Sequence, residues 1–560
     1  MKKKLAVLLA AATVMGCMGC SKSEETTKKK KKTKKTTTTE ETTEESTEDP
    51  TDDPSEVTSD ITTTETDETS ESETEPQDTR PPRDDLKTIN LPGGLTVTDD
   101  LEFLPIGRDR IFYGYGAQNP DPDVWPQYIR TTGSITTLEV YDDTCPLYNF
   151  LTEYIGYLTD NVDSNFRDNK KNFLKDLESG NEARDYRYSY FIDLARADDA
   201  YLSIHVYHYD SERTLDDRNY ANFYTTIRTE DQSILRYADV VKDFPRFKEY
   251  VKEHFDPYSG FDPSVADIRS EEHSEFLLLY DGIYVGGVGK VSVVGNEDLF
   301  DLSYFTHVPQ YYTLDFDVEN KLVWDLDGDG SADTVSLSTS SYERGDSESK
   351  LTITLNDQEY SYTENDLNGL DFVWGLSAVT PSIYVHSSSG DFLIVQLEAI
   401  DSTLLYTFKI ENGQITACPD YTAGALLEYY DPDSILISEF FGVIGANYPE
   451  HTCHLDEEGQ LCRNDIYLDV YEGPYTTITD LPATEFNMDT MEEGNETTIP
   501  QGSVVSLIRY YDDLGKAVMR IESETDMDSQ NYVVVTFDKE NWTIDGKAIY
   551  ECFIGVTYGE

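Results

Sequence analysis

The sequence is poor in cysteine and in basic residues for its length. Seven cysteines among 560 residues are too few for disulfide bonds to act as the scaffold of an exported protein. Only 44 residues are Lys or Arg against 109 Asp or Glu, and the net charge is −65. Because such a surface repels the phosphates of nucleic acids, nucleic-acid binding is not expected. The same charge favours metal ions or basic proteins as partners, or it serves only to keep the protein soluble.

The sequence also lacks the short motifs of well-known enzyme classes. It contains no Gly-x-Ser-x-Gly, no His-Glu-x-x-His, no phosphate-binding loop and no dinucleotide-binding fingerprint. With 109 carboxylates, a pair of acidic residues carries no information about general acid–base catalysis. We therefore expect a protein that is not an enzyme. A cell-wall-processing enzyme whose site follows no familiar motif is the alternative.

The first residues have no apolar run of the roughly 20 residues that a membrane span needs. Three lysines follow Met1, and the apolar stretch 5–16 comes next, which is the order found in export signals. The residues before Cys17 resemble a bacterial lipobox, and Cys20 is the rival position. We expect a signal peptide over residues 1–16 and a lipid on Cys17 or Cys20, which anchors the chain at the extracellular face of the cell membrane. An ordinary secretory signal is the alternative.

Residues 17–86 comprise this anchor and a segment built almost wholly from Thr, Ser, Glu, Asp, Lys and Pro. A basic cluster lies within 28–35, and the stretch 36–79 then carries 17 acidic residues and no basic one. Such a segment has too little apolar surface to offset the entropy lost on ordering. A disordered acidic stalk, extended by its own charge, is therefore predicted.

Apolar periodicity predicts folded structure from about residue 87. Apolar residues at helical spacing predict one helix over 147–177 and a second over 243–255. Runs rich in Tyr, Ile and Val predict strands, at 186–194, 201–209, 222–228 and 276–284. Residues 87–319 are therefore expected to form an α+β domain.

After about residue 320 the sequence changes to short apolar runs separated by Gly, Asn, Asp and Ser. These runs predict strands at 351–355, 391–399, 403–410, 466–471, 503–511, 518–523, 532–537 and 549–558. The pattern is typical of all-β packing, and we expect two β domains, 320–450 and 451–560. The predicted fold class is multidomain, with an α+β domain followed by all-β domains.

The sharpest local motif is an Asp-rich segment between two strand-like runs. Oxygen-bearing side chains occupy its alternate positions, which are Asp325, Asp327, Asp329, Ser331 and Asp333. Several oxygen ligands in one tight loop, with a main-chain oxygen at the seventh position, suit a hard cation such as Ca²⁺. No Glu stands at the twelfth position and the flanks are not helical, so the motif is not an EF-hand. We predict one structural calcium site, with a solvated Asp/Gly turn as the alternative.

Histidine and cysteine occur close together at His451, Cys453, His454 and Cys462. Zinc ligation is one interpretation, although the spacing is not that of a zinc finger. The other is a hairpin across which Cys453 and Cys462 face each other, as a disulfide or as two thiols. Separately, His205 and His208 lie three apart in a predicted strand. They are expected to point to opposite faces and so not to share a metal.

Three segments within residues 135–317 resemble the RsiV-like domain. Residues 145–151 are similar to the start of the family's first helix, 201–204 to the strand before its central loop, and 226–241 to its turn into a later helix. The family's Gly-Gly-Ala-His loop is absent, and residues 205–210 stand in its place. The resemblance implies an envelope-facing binding domain, like the lysozyme-sensing ectodomain of an anti-sigma factor or the non-catalytic domain ahead of some cell-wall polysaccharide deacetylases.

Two shorter resemblances concern the β part. The Asp-rich segment looks like the calcium loops of integrin-type propeller repeats, although only one clear copy is present. Residues 499–505 resemble a turn of a bacterial SH3-type barrel. These likenesses imply a calcium-loop β domain followed by an SH3-like domain.

Together these features predict a lipid-anchored extracellular protein of the bacterial cell envelope that binds or senses a ligand which the sequence does not identify. A lysozyme-binding surface protein is the alternative of the same kind, because an acidic receptor attracts a basic protein through long-range fields. The predicted partners are the membrane, through the lipid, and basic proteins such as lysozyme or cell-wall material. The predicted cofactor is calcium.

Overall fold

The first residue that the structure describes is Leu86. The computed structural model describes residues 86–118, 128–179, 186–211, 218–255, 268, 270–318, 320–327, 329, 331–340, 350–369, 373–375, 382–399, 403–439, 444, 447–522, 531–539, 541 and 543–556. The predicted signal peptide, Cys17, Cys20 and the predicted stalk lie outside these residues.

A five-stranded sheet organises the α+β part. The short strands β1 (Thr88–Asn90) and β2 (Thr96–Leu101) precede it. Its strands, in spatial order, are β3 (Ile106–Gln118), β4 (Tyr128–Val140), β5 (Tyr186–Ala197), β6 (Tyr201–Ser211) and β7 (Arg218–Arg228). β4 and β5 run parallel, whereas the other neighbouring pairs run antiparallel. A parallel pair needs a long crossover, and helix α1 (Tyr148–Ser179) lies between these two strands in the chain.

Helix α1 packs one apolar face on this sheet. Its buried apolar residues recur every three or four positions, at Phe150, Leu151, Tyr154, Ile155, Leu158, Val162, Phe166 and Phe173. Val162 and Phe166 cover Gly133 of β4, where an added Cβ would lie only 3.0 Å from the Cβ of Phe166. Glycine at this position therefore allows the helix to approach the sheet closely. The helix predicted over 147–177 is confirmed.

Two shorter helices follow β7, α2 (Tyr237–Val240) and α3 (Phe244–His254). Asp243 ends the loop before α3, and its carboxylate accepts a hydrogen bond of 3.2 Å from the main-chain N–H of Arg246. Such a side-chain cap satisfies one of the amide groups that a helix start leaves without a partner. Phe247 and Val251 form the buried face of α3. The helix predicted over 243–255 is confirmed.

The strand predicted over 276–284 is wrong as a single element. The chain forms β8 (Leu277–Leu278), a turn, and then β9 (Gly282–Val285), which pairs with β8 and with β10 (Gly289–Ser292). The turn is closed by a hydrogen bond of 2.9 Å from the N–H of Leu279 to the carbonyl of Gly282. Gly282 lets the backbone of β10 approach closely, because an added Cβ would lie only 2.4 Å from the carbonyl oxygen of Val291.

The remaining strands belong to several further sheets. β11 (His307–Pro309) pairs with β2, and a four-stranded sheet consists of β13 (Leu322–Trp324), β14 (Asp333–Ser340), β15 (Lys350–Leu355) and β16 (Gln358–Thr363). The large sheet comprises β12 (Tyr312–Phe316), β17 (Val373–Gly375), β18 (Ser382–Ser387), β19 (Gly390–Ala399), β20 (Thr403–Glu411), β21 (Gln414–Glu428), β22 (Ile435–Glu439), β23 (Glu450–Leu455), β24 (Leu461–Arg463), β25 (Leu468–Thr477), β26 (Leu481–Asn487), β27 (Glu492–Ile499), β28 (Val504–Tyr511), β29 (Lys516–Ile521), β30 (Asn531–Thr536) and β33 (Phe553–Ile554).

The predicted fold class is confirmed, because an α+β part is followed by a part made mostly of β sheets. Hydrogen bonding nevertheless continues across both predicted domain boundaries. β12 lies before residue 320 yet pairs with β18, and β22 pairs with β23 across residue 450. One apolar cluster also holds Val97, Phe300, Trp324 and Leu393 together. The boundaries at 319/320 and 450/451 stay predictions.

The strand predicted over 549–558 is wrong at its start. After a small hairpin of β31 (Thr543–Ile544) and β32 (Lys547–Ala548), the chain forms the short helix α4 (Ile549–Cys552). Ile549 and Cys552 are buried whereas Tyr550 is 68% exposed. This spacing of three suits a helical turn rather than the alternation of a strand.

Among the described residues, no helix combines the length and the apolar character that a membrane crossing requires.

Candidate functional site

The Asp-rich loop connects β13 to β14 in a hairpin. Trp324, the last residue of β13, is opposite Asp333, the first residue of β14. The indole of Trp324 is fully buried and donates a hydrogen bond of 2.8 Å to the hydroxyl of Tyr312. The base of the loop is therefore fixed in the apolar core, which holds the two ends of the Asp-rich segment next to each other.

Three of the four predicted aspartates converge in this loop. Carboxylate oxygens of Asp325, Asp327 and Asp333 all lie within 4.8 Å of one another. Asp325 is only 7% exposed, whereas Asp327 lies on the surface. Carboxylates this close repel each other when ionised, and a cation among them would offset that repulsion. The cluster has the chemistry of a site for a hard, oxygen-binding metal ion.

Main-chain amides orient these carboxylates. The N–H of Asp329 lies 3.1 Å from an oxygen of Asp325 and 3.1 Å from an oxygen of Asp327. The N–H of Leu326 donates to Asp333 across the hairpin at 3.0 Å. Side chains held by such hydrogen bonds lose little conformational entropy when they bind an ion.

Asp329 and Ser331 are not part of the three-carboxylate cluster. An oxygen of the Asp329 carboxylate accepts a hydrogen bond of 2.7 Å from the N–H of Ser331, which shapes the turn. Gly328 and Gly330 lie outside the described residues. The ligand roles of Asp329 and Ser331 stay predictions.

Asn356 is a residue of this site that sequence reasoning missed. Its amide donates to Asp333 at 2.8 Å, and its side-chain oxygen accepts from the N–H of Thr334 at 3.0 Å. Asn356 occupies the turn between β15 and β16 with a φ of 55°, which asparagine tolerates better than most residues. The Asn-Asp pair at 356–357 marks a hairpin turn in the sequence. Nothing local, however, indicates that this turn lies beside Asp333.

A second polar cluster joins the five-stranded sheet to β21. Arg108 of β3 donates to Glu428 at 2.9 Å, and the main-chain N–H of Leu194 donates to the same carboxylate oxygen at 2.8 Å. Burial raises the pKa of Glu428 to about 7, and Arg108 only partly opposes this shift. Raised carboxyl pKa values occur at functional sites and also in buried ion pairs. Sequence reasoning missed this pair because its members are 320 positions apart.

His205 and His208 point to opposite faces of the five-stranded sheet, as predicted. His205 contacts Asn222 at 2.9 Å and Asp193 at 3.3 Å. The ring of His208 stacks on Tyr190, with centroids 4.6 Å apart, and contacts Tyr188 edge-on, with centroids 4.8 Å apart. Its Nε2 atom is buried and makes no hydrogen bond in the part of the chain that the structure describes. Burial lowers the pKa of His208 to about 4.

The predicted hairpin around Cys453 and Cys462 forms, but the two thiols do not face each other. Cys453 is opposite Arg463, and His454 is opposite Cys462. Because neighbouring residues of a strand point to opposite faces, the two cysteines lie on different sides of the hairpin. Both are free thiols. The disulfide interpretation is therefore wrong. The same alternation places His451 and Cys453 on one face and His454 and Cys462 on the other, so the four residues that zinc ligation would need do not share a face.

Aromatic side chains gather on the face of the five-stranded sheet that points away from α1. Phe191, Tyr207, Tyr220 and Tyr209 follow one another across β5, β6 and β7, with successive ring centroids 5.9, 5.7 and 5.3 Å apart. Tyr220 is 49% exposed. Exposed aromatic residues of this kind are enriched in protein interfaces.

Comparisons with known proteins add little to this geometry. No protein-family model matches the sequence, and no curated protein matches it. Crystal structures of DUF3298 family proteins from Pseudomonas aeruginosa PAO1 and Bacteroides fragilis each match 36% of this chain, at 9% and 11% identity. The matches cover 97% and 98% of those chains, with TM-scores of 0.22 and 0.24. Likeness at this level supports no argument about function, and the RsiV-like, integrin-type and SH3-type resemblances stay predictions.

The buried ring of His208 predicts a specific pH dependence. The unfolded chain takes up this proton near pH 6.5 and the folded chain near pH 4, so His208 stabilises the fold above pH 6.5 and this contribution is lost as the pH falls towards 4. We expect the free energy of unfolding of the wild type to fall by about 2 kcal/mol between pH 7 and pH 5 because of His208. His208→Phe should not show this part of the fall. Thermal unfolding of the wild type and the variant at both pH values measures the difference.

The control is His273→Phe, which replaces an exposed histidine. Equal pH dependence of the wild type and His208→Phe would contradict the assignment.

Proposed function

We propose that this chain is a lipid-anchored binding protein at the extracellular face of a bacterial cell envelope, and that its β part holds one structural Ca²⁺ ion. The observation that supports the calcium site is the approach of Asp325, Asp327 and Asp333 to within 4.8 Å in a hairpin whose base is buried.

Calcium is the ion that best suits this loop and this location. Ca²⁺ takes about six to eight oxygen ligands in a flexible arrangement, whereas Zn²⁺ is bound mainly by sulfur and nitrogen. Three carboxylates would supply the charge, and Asp329 and Ser331 are the further ligands that the sequence predicts. Extracellular calcium modules bind with dissociation constants of about 10⁻⁴ to 10⁻³ M, which a small surface loop can reach. The ion would offset the mutual repulsion of the carboxylates and tie β13 to β14.

Calcium should stabilise the protein through this loop. A ligand that binds only the folded state raises stability by RT ln(1 + [L]/Kd), so calcium at about 100 times Kd adds about 2.7 kcal/mol. We expect a higher Tm in calcium than in chelator, and no such rise for Asp327→Ala. Scanning calorimetry measures the Tm, and Tb³⁺ luminescence excited through Trp324, next to Asp325, reports occupancy directly.

Glu359→Gln is the matched control, because it removes one negative charge from an exposed position of β16. It should keep the calcium response. An unchanged Tm of the wild type in saturating calcium would exclude the site.

The proposed anchor rests on the order of lysines, apolar stretch and cysteine at residues 1–20. A chain with several acyl groups on one cysteine stays in the membrane, since each buried methylene contributes about 0.8 kcal/mol. The Thr- and Glu-rich residues up to 86 would then separate the folded part from the membrane surface.

Metabolic labelling with a palmitate analogue tests the anchor. We expect label on the wild type and its loss in either Cys17→Ala or Cys20→Ala, whichever removes the acylated residue. The variant at the other cysteine is the control for expression and export. Absence of label from the wild type, with the intact chain inside the cell, would overturn the proposal.

The charge of the folded part supports a basic protein as the partner. Residues 87–560 carry 31 basic against 88 acidic groups, a net of −57. Such a surface attracts cationic proteins over long distances, and salt weakens this attraction. The aromatic face around Tyr207 and Tyr220 offers the kind of side chains that anchor a protein partner.

Lysozyme is the probe for this partner class. We expect immobilised residues 87–560 to retain lysozyme at low salt and to release it as the ionic strength rises above about 0.1 M, where charges are screened beyond about 10 Å. Succinylated lysozyme, which has lost its positive charges, is the matched control and should not bind. Retention of both forms alike, or of neither, would count against a charge-selected protein partner.

A further inference from the structure

A fully enclosed lysine lies between two carboxylates in the α+β part. The side chain of Lys290 is 4% exposed, that of Asp281 is 6% exposed and that of Asp315 is 16% exposed. The Nζ atom of Lys290 lies 2.5 Å from Oδ2 of Asp281 and 3.2 Å from Oδ1 of Asp315. It also donates to the main-chain carbonyl of Asp315.

Three strands hold this cluster in place. Lys290 belongs to β10 and is paired with Tyr284 of β9, while Asp281 immediately precedes β9. The carbonyl of Asp281 accepts a hydrogen bond of 2.8 Å from the N–H of Val293, which fixes its backbone. Asp315 comes from β12 of the large sheet. Lys290 and Asp315 are thus positioned by strands, and Asp281 by the turn that leads into β9.

The cluster is buried and its charges do not balance. One cation facing two ionised carboxylates would leave a net negative charge in this interior, which is costly. Burial raises the pKa of Asp281, and its Oδ1 atom has no hydrogen-bond partner within the described residues. The two carboxylates raise the pKa of Lys290 despite its burial. The surroundings therefore favour the neutral, protonated form of the Asp281 carboxyl.

We propose that Lys290 and Asp281 form an intramolecular amide bond, with Asp315 as the proton carrier. The inference does not depend on the proposed calcium site or anchor. A neutral carboxyl, an amine in contact with it and an adjacent carboxylate are the groups that such a condensation needs.

The atoms balance without any further reactant. Asp315 takes a proton from the ammonium, and the lone pair of the resulting amine attacks Cγ of Asp281, which forms the C–N bond. Asp315 passes its proton to the leaving hydroxyl and receives the second proton of the nitrogen. The C–O bond breaks, one water leaves, and Asp315 ends protonated beside a neutral amide.

Two physical effects favour this reaction in the folded chain. Groups held in contact react with effective concentrations of about 10⁵ to 10⁸ M, so the weak electrophilicity of a carboxyl is offset by proximity. The product also replaces a buried ammonium by a neutral amide, which removes most of the cost of burying ions in an apolar interior. The amide would link β10, through Lys290, to the turn that leads into β9, through Asp281.

Tryptic peptide mapping of the purified, folded full-length chain tests the proposal. Trypsin cleaves after Arg269, Lys290 and Lys321, and no other Lys or Arg lies between these positions. An amidated Lys290 resists cleavage, so we expect one peptide of residues 270–321 that is lighter than its linear sequence by one water. Fragment spectra should place the bridge between 281 and 290.

Three other results would overturn this assignment. The first is a pair of peptides, 270–290 and 291–321, at full mass. The second is peptide 270–290 lighter by one water but still cut after Lys290, which is the mark of a cyclised Asp281–Gly282 pair. The third is a bridge between Lys290 and Asp315.

Variants separate the roles of the three residues. Lys290→Arg keeps the positive charge but should lose the cross-link completely. Asp315→Asn keeps both reacting groups and should also lose it, because no carboxylate remains to carry the proton. A cross-link that persists in Asp315→Asn would overturn the role of Asp315 as proton carrier.

Discussion

Buried carboxylates impose the main physical constraint on this fold, because 109 acidic residues share the chain with only 44 basic ones. An ionised carboxylate inside a protein is costly unless a cation or several hydrogen bonds accompany it. Arg196 accordingly contacts Asp198 at 2.6 Å with both side chains buried, and Arg509 contacts Asp469 at 2.6 Å. Burial still raises the pKa of Asp469 to about 6, so its pairing offsets only part of the cost.

The same pairs connect distant parts of the chain. Arg108, Arg110 and Arg130 of the five-stranded sheet contact Glu428, Glu450 and Glu472 of the later strands, at 2.9, 3.2 and 3.0 Å. Partly exposed ion pairs contribute little stability individually. The ion pairs nevertheless favour one way of packing the five-stranded sheet on the later strands, because any other packing would leave buried charges without partners. Together with the apolar cluster that spans Val97 to Leu393, they unite the α+β and β parts.

In both proposed sites, the charge of the carboxylates would be offset by something other than a simple pair with one basic side chain. In the Asp-rich loop three carboxylates lie within 4.8 Å, and the cation would come from the solvent as Ca²⁺. Around Lys290 the charge imbalance would end in an amide bond that removes the ions. An extracellular location suits both, because calcium is abundant there and a covalent bridge that is not a disulfide is independent of the redox conditions.

Local sequence patterns determined the elements of this protein and much of the candidate metal loop. Helical spacing after residue 147 and Asp243 before a helix are short-range signals, and both helices form where the sequence predicts them. Alternating Asp residues between two strand-like runs likewise predicted the hairpin and its converging carboxylates.

Only the tertiary structure decided which distant residues meet. Asn356 reaches Asp333, Arg108 reaches Glu428, and Lys290 lies between Asp281 and Asp315 because sheet registers bring them together. Register also separated Cys453 from Cys462. A shift of one residue turns a side chain to the other face of a sheet, and for strands far apart in the sequence the register depends on which faces the complete fold buries.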